Sequence, residues 1–385
     1  MHNIYKPELV VHILRHPACL SAPTLVNHLT HILMRNPTNV SRAGLNIPCF
    51  AWQDPALDIH GRPARFSLDH VHHGVVIVLV DSNMARDQDW NAFLVALAKA
   101  TGTPPESPHL LIPVTLSSQV FKINPNLLNT IHYIRLHEIA VVEQARHLGL
   151  SIMHELCRLL LQNRRDKRSH APVQLFLSHA KQDGLTIAQA LKNHLCHFTP
   201  MGVFFDARDI APGHSFAEEI EGAIDDSALI AIQTDAYASR DWCQKEVLDA
   251  KCLEKPVLVV NAVQQEEERQ FPYLGNTPSI RWQADDIKES CQRTVAAILT
   301  ETLRMTHASM LMENLLELHK MPSPCQWLST PPELVTLLTV ARLHNPSLQT
   351  ILYPDPPLGS NELALLKKMR PHVAFLTPNE LAGRT

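Results

Sequence analysis

Three segments in the middle of the chain carry side chains that could do chemistry. The first, 176–179, reads Phe-Leu-Ser-His, the second is the loop 206–215, and the third is the segment 235–246. Together they supply carboxylates, hydroxyls, imidazoles and aromatic rings, which are the groups that bind a polar ligand or act on one. Trp242 and Glu246 lie four residues apart, so a helix would place both on one face.

Ser178 and His179 are adjacent, and such a pair could form the nucleophile and the base of a hydrolase. The sequence offers no acidic third member to orient the histidine, so we expect the two side chains to form the floor of a pocket instead. Cys243 precedes Glu246 by three residues. We interpret it as a small buried apolar residue and not as a nucleophile.

The elements that must position these segments alternate between short apolar runs and amphipathic stretches, which predicts an α/β domain with a parallel sheet. Strands are expected at 173–177, 203–205, 229–232 and 256–260, and helices at 185–195, 216–223, 242–253 and 287–305. Each segment then follows a strand, and the carboxyl ends of parallel strands share the edge of the sheet where ligands bind. Pro212-Gly213 predicts a turn in the loop, and Ser215 with Glu218 predicts a capping box at the next helix.

The rest of the chain shows the same alternation. Before residue 163, strands are expected at 9–14, 49–52, 75–80, 110–114 and 132–134, and helices at 22–34, 89–100 and 138–161. The basic stretch 163–172 could form a nucleic-acid or lipid patch, but its acidic surroundings favour a solvated linker. Beyond 305, a shorter βα pattern covers 334–341, 350–353, 362–369 and 373–376. We predict an α/β domain at 1–162, a linker at 163–172, a central domain at 173–305 and a C-terminal α/β segment at 306–385.

The three segments together resemble a TIR (Toll/interleukin-1 receptor) domain of the bacterial and plant kind. The strand ending in Phe-Leu-Ser-His is similar to the family's first strand, and the loop Asp-x-Arg-Asp-Ile-x-Pro-Gly is similar to its BB loop. The pattern Ser-x-x-Trp-Cys-x-x-Glu is similar to the start of the helix that bears the catalytic glutamate. The resemblance covers about a third of the chain. It implies a flavodoxin-like fold, NAD hydrolase activity and Glu246 as the catalytic residue.

The residues are consistent with the chemistry that this resemblance implies. The nicotinamide of NAD is already cationic, so it leaves the ribose without a proton, and a carboxylate could stabilise the oxocarbenium-like ribose. Phe176, Tyr237 or Trp242 could stack on a planar base. Arg208 and His214 could contact phosphates or close the loop over the substrate. The predicted substrate-binding set also includes Leu177, Ser178 and Ser239, with NAD as the substrate and no cofactor.

Simpler roles are open for several of these residues. Glu246 could be a solvated helix residue, and Trp242 could serve partly in packing. Arg208 could pair with Asp209 on the loop, or the two could make contacts between TIR subunits.

The N-terminal part contains an echo of the central pattern. Residues 75–81 and 86–90 parallel 229–234 and 240–242, and residues 11–16 parallel 174–179. Four residues after Trp90 stands Leu94, where the central domain has Glu246 after Trp242. The echo indicates either a degenerate TIR-like domain that serves assembly or regulation, or the generic similarity of two flavodoxin-like domains.

The C-terminal segment has a proline-rich loop at 352–359 that resembles the nucleotide-sensing SLOG-like domains fused to bacterial TIR domains, although it lacks a glycine-rich phosphate loop. This resemblance implies a nucleotide-derived activator. The short βα pattern could be part of a domain that is truncated or that another subunit completes. The TIR resemblance implies an enzyme of bacterial anti-phage defence that assembly with other TIR domains switches on. The alternatives are a non-catalytic TIR scaffold and a nucleotide-sensing signalling protein.

The composition limits the classes of partner that we expect and the cellular compartment of the protein. Of the 385 residues, 45% are hydrophobic and 19% are charged, and the net charge of -4 argues against nucleic acid or an anionic membrane as a partner. The apolar runs are of strand length, the N-terminus lacks a secretion signal, and the eight cysteines form no CxxC pair, so we expect a cytoplasmic protein. The run Asp69-His70-Val71-His72-His73 could ligate a metal, but neighbouring side chains alternate in direction, so no metal site is predicted.

Overall fold

The computed structural model describes residues 6–34, 45–52, 58–59, 61–62, 66–102, 106–165, 172–204, 227–265, 271–319, 324–342 and 348–383. The chain divides into two compact units, Met1–Ser169 and His170–Thr385. Both units are α/β, and the strand pairs between described residues are parallel. The α/β class with parallel sheets that the sequence predicts is therefore confirmed.

Unit 1 is built on a five-stranded sheet with the order β2-β1-β3-β4-β5. Its strands are β1 (Leu9–Arg15), β2 (Cys49–Ala51), β3 (His73–Val80), β4 (Leu110–Thr115) and β5 (Ile134–Arg135). Its helices are α1 (Ala22–Leu33), α2 (Ser82–Arg86), α3 (Gln88–Thr101), α4 (Gln119–Ile123) and α5 (Val141–Arg165). Every residue of β3 is buried, as is typical of a central parallel strand. The sequence does not predict α2 and α4, because five residues are too few to show a helical period.

Unit 2 begins with a second five-stranded sheet, whose order is β7-β6-β8-β9-β10. Its strands are β6 (Gln174–His179), β7 (Gly202–Phe204), β8 (Ser227–Gln233), β9 (Val257–Asn261) and β10 (Ser279–Arg281). The helices that accompany it are α6 (Leu185–Phe198), α7 (Asp241–Cys252) and α8 (Ile287–His319). Relative to the chain this is the 2-1-3-4-5 order of flavodoxin-like folds. The helix predicted at 216–223 lies outside the described residues.

A three-stranded sheet with the order β11-β12-β13 completes unit 2. Its strands are β11 (Cys325–Trp327), β12 (Thr350–Leu352) and β13 (Ala374–Leu376), and its helices are α9 (Leu334–Arg342), α10 (Ser360–Met369) and α11 (Pro378–Ala382). Helix α8 contacts β9 and β10 of the larger sheet and β11 of the smaller one. The sequence predicts the end of this helix at 305, but it continues to His319, because residues 306–319 contain neither glycine nor proline.

None of the helices among the described residues combines the length and the apolar character that crossing a bilayer requires.

The two five-stranded sheets share one strand order, and two helices at the same place in that order can be compared: α3 between β3 and β4, and α7 between β8 and β9. In unit 1, Trp90 is 1% exposed and Leu94 is fully buried, and both pack in the core beside β3. In α7 the buried residues Cys243, Val247 and Ala250 have the same spacing as Trp90, Leu94 and Leu97 in α3, so Leu94 corresponds to Val247 and Phe93 to Glu246. Unit 1 therefore has Phe93, which packs against the core, where unit 2 has the carboxylate, and the pairing of Leu94 with Glu246 that the sequence suggests is shifted by one residue.

We expect Leu94→Glu to open helix α3, because it places a carboxylate in the apolar core of unit 1 and removes a buried leucine. The cost should be about 4 kcal/mol or more. Leu94→Met is the matched control, since a change that conserves volume should cost less than about 1.5 kcal/mol. Amide hydrogen exchange of Gln88–Thr101 in the full chain measures the effect. Wild-type protection of α3 in the glutamate variant would contradict the core placement of Leu94.

Candidate active site

Strand β6 presents alternate side chains to opposite faces of the sheet. Phe176 packs in a core cluster with Cys243 and Val247 of α7, and Ser178 faces the same side, where it contacts Glu246. Leu177 points to the other face and is 2% exposed. A ligand on the α7 side of the sheet would not reach its side chain. This placement argues against the predicted contact between Leu177 and the substrate.

Glu246 stands in the second turn of α7, which follows a short 3-10 turn at Tyr237–Ser239. Gln244 Nε2 donates to the carbonyl oxygen of Ala238 at 2.6 Å and so joins that turn to the helix. Val247 and Ala250 are fully buried, and Trp242 shares the face of Glu246, as the spacing predicts. The buried residues fix the rotation of α7 and thereby aim Glu246 at the end of β6.

A row of three side chains leads from the core to the carboxylate. Ser178 Oγ lies 2.5 Å from Glu246 Oε2 and 2.7 Å from Tyr237 Oη. An ionised carboxylate can only accept, so the Ser178 hydroxyl donates to Glu246 and accepts from Tyr237. Ser178 is 1% exposed and Tyr237 is fully buried, which shields both hydrogen bonds from competing water. The row therefore holds one carboxylate oxygen in a defined position.

Burial raises the pKa of the half-buried Glu246 carboxyl to about 7. The nearby charge of Asp249 adds to this rise, whereas the hydrogen bond from Ser178 and the charge of Lys245 oppose it. Lys245 Nζ also binds Asp249 Oδ2 at 2.7 Å on the exposed side of the helix. Glu246 therefore exchanges its proton near neutral pH, as groups in functional sites commonly do.

Two other ionisable side chains near Glu246, those of Tyr237 and Cys243, stay protonated at neutral pH. Burial raises the pKa of the Tyr237 phenol well above its ordinary value and that of the Cys243 thiol to about 12. Tyr237 thus acts as a neutral hydrogen-bonding group. Cys243 is 4% exposed and packs as a small apolar residue, which agrees with its interpretation from the sequence.

The aromatic residues predicted to stack on a base differ in exposure. Phe176 is 4% exposed and Tyr237 is fully buried, and both belong to the core beneath α7, so neither ring offers a face to a ligand. Trp242 is 47% exposed, and Lys245 Nζ lies 5.9 Å from its ring centre. Of the three rings, Trp242 is the one with open surface near Glu246.

Asp183, in the segment after β6, is a residue that the sequence analysis missed. Its carboxylate accepts hydrogen bonds from Thr234 Oγ1 at 2.7 Å and from the backbone nitrogen of Ala236 at 2.9 Å. It thereby ties the segment after β6 to the segment after β8. A Cβ atom on the next residue, Gly184, would lie 3.0 Å from the carbonyl oxygen of Ala180. The Asp-Gly pair, a turn signature, is the signal that could have found it.

The remaining predicted site residues are Ser239, Arg208 and His214. Ser239 is exposed, and its hydroxyl donates to the carbonyl oxygen of Ala236 at 2.8 Å, within its own turn. Arg208 and His214 lie outside the described residues, together with the rest of the loop 206–215.

Metal ligation finds no support in the described part of the chain, where no group of three or more His, Cys, Asp or Glu side chains could hold an ion. In the histidine-rich run, His73 Nδ1 lies 3.0 Å from the carbonyl oxygen of Glu8.

We expect Ser178→Ala to raise the pKa of Glu246 above its value of about 7, because it removes a hydrogen bond that favours the charged form. Such a bond is worth about 1.5–3 kcal/mol, which corresponds to about one pH unit or more. The measurement is the titration of the Glu246 carboxyl carbon by 13C NMR, with its signal assigned by its loss in Glu246→Gln. Ser290→Ala is the matched control, since Ser290 is also 1% exposed and bonded through its hydroxyl to Gln283. A midpoint that stays or falls in Ser178→Ala would contradict the geometry.

One of the comparisons with known proteins bears on the same part of unit 2. The model of the TIR domain family matches residues 175–296. No curated protein matches the chain. Among solved structures, a Silicibacter pomeroyi DSS-3 protein described as a phosphosugar isomerase is similar over 80% of this chain and 88% of that one, at 11% identity and a TM-score of 0.23. Tagatose-6-phosphate ketose/aldose isomerase from Escherichia coli is similar over 85% of this chain and 86% of that one, at 11% identity and a TM-score of 0.23. TM-scores this low carry no argument about fold or function. The family match spans the elements that position Glu246, and this part of the second unit is therefore similar to a TIR domain.

Proposed function

We propose that the protein hydrolyses NAD at the bond between nicotinamide and ribose, with Glu246 as the catalytic residue. The observation that carries this proposal is the half-buried Glu246 carboxylate, which Ser178 holds at 2.5 Å beside the end of β6. It lies in the part of the chain that matches the TIR domain family. The carboxyl edge of a parallel sheet is where α/β folds bind ligands. Trp242 on the same helix face offers an exposed ring for a planar base.

The reaction requires stabilisation of a positive charge more than it requires proton transfer. When the bond between C1′ of the ribose and the cationic nicotinamide nitrogen breaks, its electron pair moves to that nitrogen and neutral nicotinamide leaves. The ribose becomes an oxocarbenium-like cation, which the Glu246 carboxylate opposes while it accepts hydrogen bonds from the ribose hydroxyls. Water then adds to C1′ and releases a proton, which gives ADP-ribose. Attack by an adenine nitrogen in place of water would give a cyclic product.

Glu246 must be ionised to fill this role. Because burial raises its pKa to about 7, the carboxylate and the carboxylic acid coexist near neutral pH. A bound nicotinamide cation would favour the carboxylate, since an opposite charge nearby lowers the pKa of an acid. Ser178 and Tyr237 orient the carboxylate before substrate arrives, which is the condition under which fixed charges stabilise a transition state well.

Unit 1 fits a non-catalytic part in assembly or regulation, because Phe93 stands in α3 where Glu246 stands in α7. The same proposal includes activation by assembly with other TIR domains, a nucleotide-derived activator and a role in anti-phage defence. Their support is the family resemblance of the motifs.

We expect the assembled wild-type protein to release nicotinamide from NAD, and Glu246→Gln to lower kcat/KM by about 100-fold to 1000-fold. Glutamine keeps the size of the side chain and its hydrogen bond from Ser178 but removes the charge. Chromatography of nicotinamide and ADP-ribose measures the rate, and light scattering verifies assembly in the same samples.

The matched control is Glu313→Gln, which makes the same change at an exposed position on α8 and should leave the rate unchanged. Wild-type turnover by Glu246→Gln would remove Glu246 from the mechanism. Assembled wild-type protein that leaves NAD intact would favour the scaffold.

A further inference from the structure

Asp183 joins two of the segments that meet at the carboxyl edge of the larger sheet in unit 2. One of its carboxylate oxygens accepts from Thr234 Oγ1 at 2.7 Å, and the other accepts from the backbone nitrogen of Ala236 at 2.9 Å. Hydrogen bonds to an ionised acceptor are stronger than those between neutral groups. Thr234 is 4% exposed, which shields the first of the two bonds from competing water.

The two bonds fix the start of the short 3-10 turn Tyr237–Ser239. Ala236 is the residue from which this turn begins. Backbone N–H groups at the start of a helical turn have no partner inside it, and Asp183 supplies one for Ala236. The nitrogen of Tyr237 donates in turn to the carbonyl oxygen of Thr234 at 3.1 Å. One carboxylate thus holds the backbone from which the Tyr237 side chain extends.

The position of Tyr237 decides how Ser178 uses its single proton. Tyr237 Oη donates to Ser178 Oγ at 2.7 Å, and Ser178 donates to Glu246 Oε2 at 2.5 Å. A hydroxyl that accepts a hydrogen bond becomes a stronger donor, and its own proton stays directed at the second partner. Each link from Asp183 to Glu246 is therefore either a hydrogen bond or the peptide bond between Ala236 and Tyr237.

We propose that Asp183 is a positioning residue for the reaction at Glu246, because it holds the turn from which Tyr237 directs the Ser178 hydroxyl to the carboxylate. This role rests on the proposed function of Glu246, but the links that carry it are testable without turnover. Asp183 follows Ser178 by five residues. The stretch that begins at the end of β6 therefore supplies both the donor to Glu246 and the group that keeps this donor oriented.

The test is the titration of the Glu246 carboxyl carbon by 13C NMR in the full chain with Asp183→Asn. Asparagine has the size of aspartate but lacks the charge and has one acceptor oxygen, so it cannot accept from both Thr234 and Ala236. Ser178 then donates less strongly and stabilises the charged form of Glu246 less. The midpoint should rise by about 0.3–1 pH unit.

The same variant should change the pH profile of NAD hydrolysis. At about pH 6, kcat/KM should fall about 2-fold to 10-fold, because less of Glu246 is ionised when its pKa is higher. At about pH 9 the difference from wild type should nearly vanish, because the carboxyl is ionised in both proteins. A loss of kcat/KM by the same factor at both pH values would contradict the proposal, since it would not act through the protonation of Glu246.

Tyr237→Phe tests the route through the tyrosine. It keeps the ring in the core but removes the hydroxyl that donates to Ser178, so it should raise the midpoint by itself. In the Tyr237→Phe background, Asp183→Asn should change the midpoint by less than about 0.2 pH unit, since the link through which it acts is gone. Equal shifts in the two backgrounds would overturn the proposed route.

Asp286→Asn is the matched control. Asp286 is exposed, as Asp183 is, and its Oδ1 accepts from the backbone nitrogen of Glu289 at 3.0 Å, at the start of α8. This variant should leave the midpoint of Glu246 unchanged. A midpoint that stays or falls in Asp183→Asn would make Asp183 a structural tie only and overturn the proposal. A raised midpoint in a protein that leaves NAD intact would count against the proposed function and still support the link from Asp183 to Glu246.

Discussion

The hydrogen bond from Ser178 to a carboxylate that is withdrawn from water is the interaction on which the candidate site depends. Burial makes the charged form of Glu246 costly, and the hydroxyl at 2.5 Å offsets part of that cost. The bond requires β6 to turn Ser178 toward α7 and requires α7 to keep its rotation. A slip of α7 by one residue would rotate the carboxylate by about 100° and break the contact. The packing of Val247 and Ala250 is therefore as necessary to the site as the polar groups.

Unit 1 shows that this strand order does not by itself create the site. The two five-stranded sheets have the same 2-1-3-4-5 order, yet unit 1 has Phe93 at the position in α3 that corresponds to Glu246 in α7. The phenylalanine packs against the apolar core of its unit, whereas the glutamate provides a group that titrates near neutral pH. The same strand order therefore occurs with and without this carboxylate, and the difference lies at a single helix position.

The sequence was sufficient for the elements with a clear period, such as β6, β8 and α7, and for the position of Glu246 on the face of Trp242. It was not sufficient for the partners of Glu246. Ser178 was expected on a pocket floor, and its contact with Glu246 spans 68 residues of chain, which no local pattern encodes. Burial of Phe176 and Tyr237 likewise follows from how α7 packs on the sheet. Asp183 had a local turn signal, but its bonds to the segment after β8 are long-range.

The pH dependence of kcat/KM for NAD hydrolysis tests the central claim most directly, because this ratio reports the protonation of the free enzyme. A carboxylate that must be charged, with its pKa raised to about 7 by burial, predicts a tenfold fall per pH unit below about 7 and a plateau above it. The midpoint should follow the titration of Glu246 observed by NMR. A rate that is independent of pH between about 5.5 and 8.5, or that rises as the pH falls, would contradict the assignment of Glu246 as the charged group that acts on the ribose.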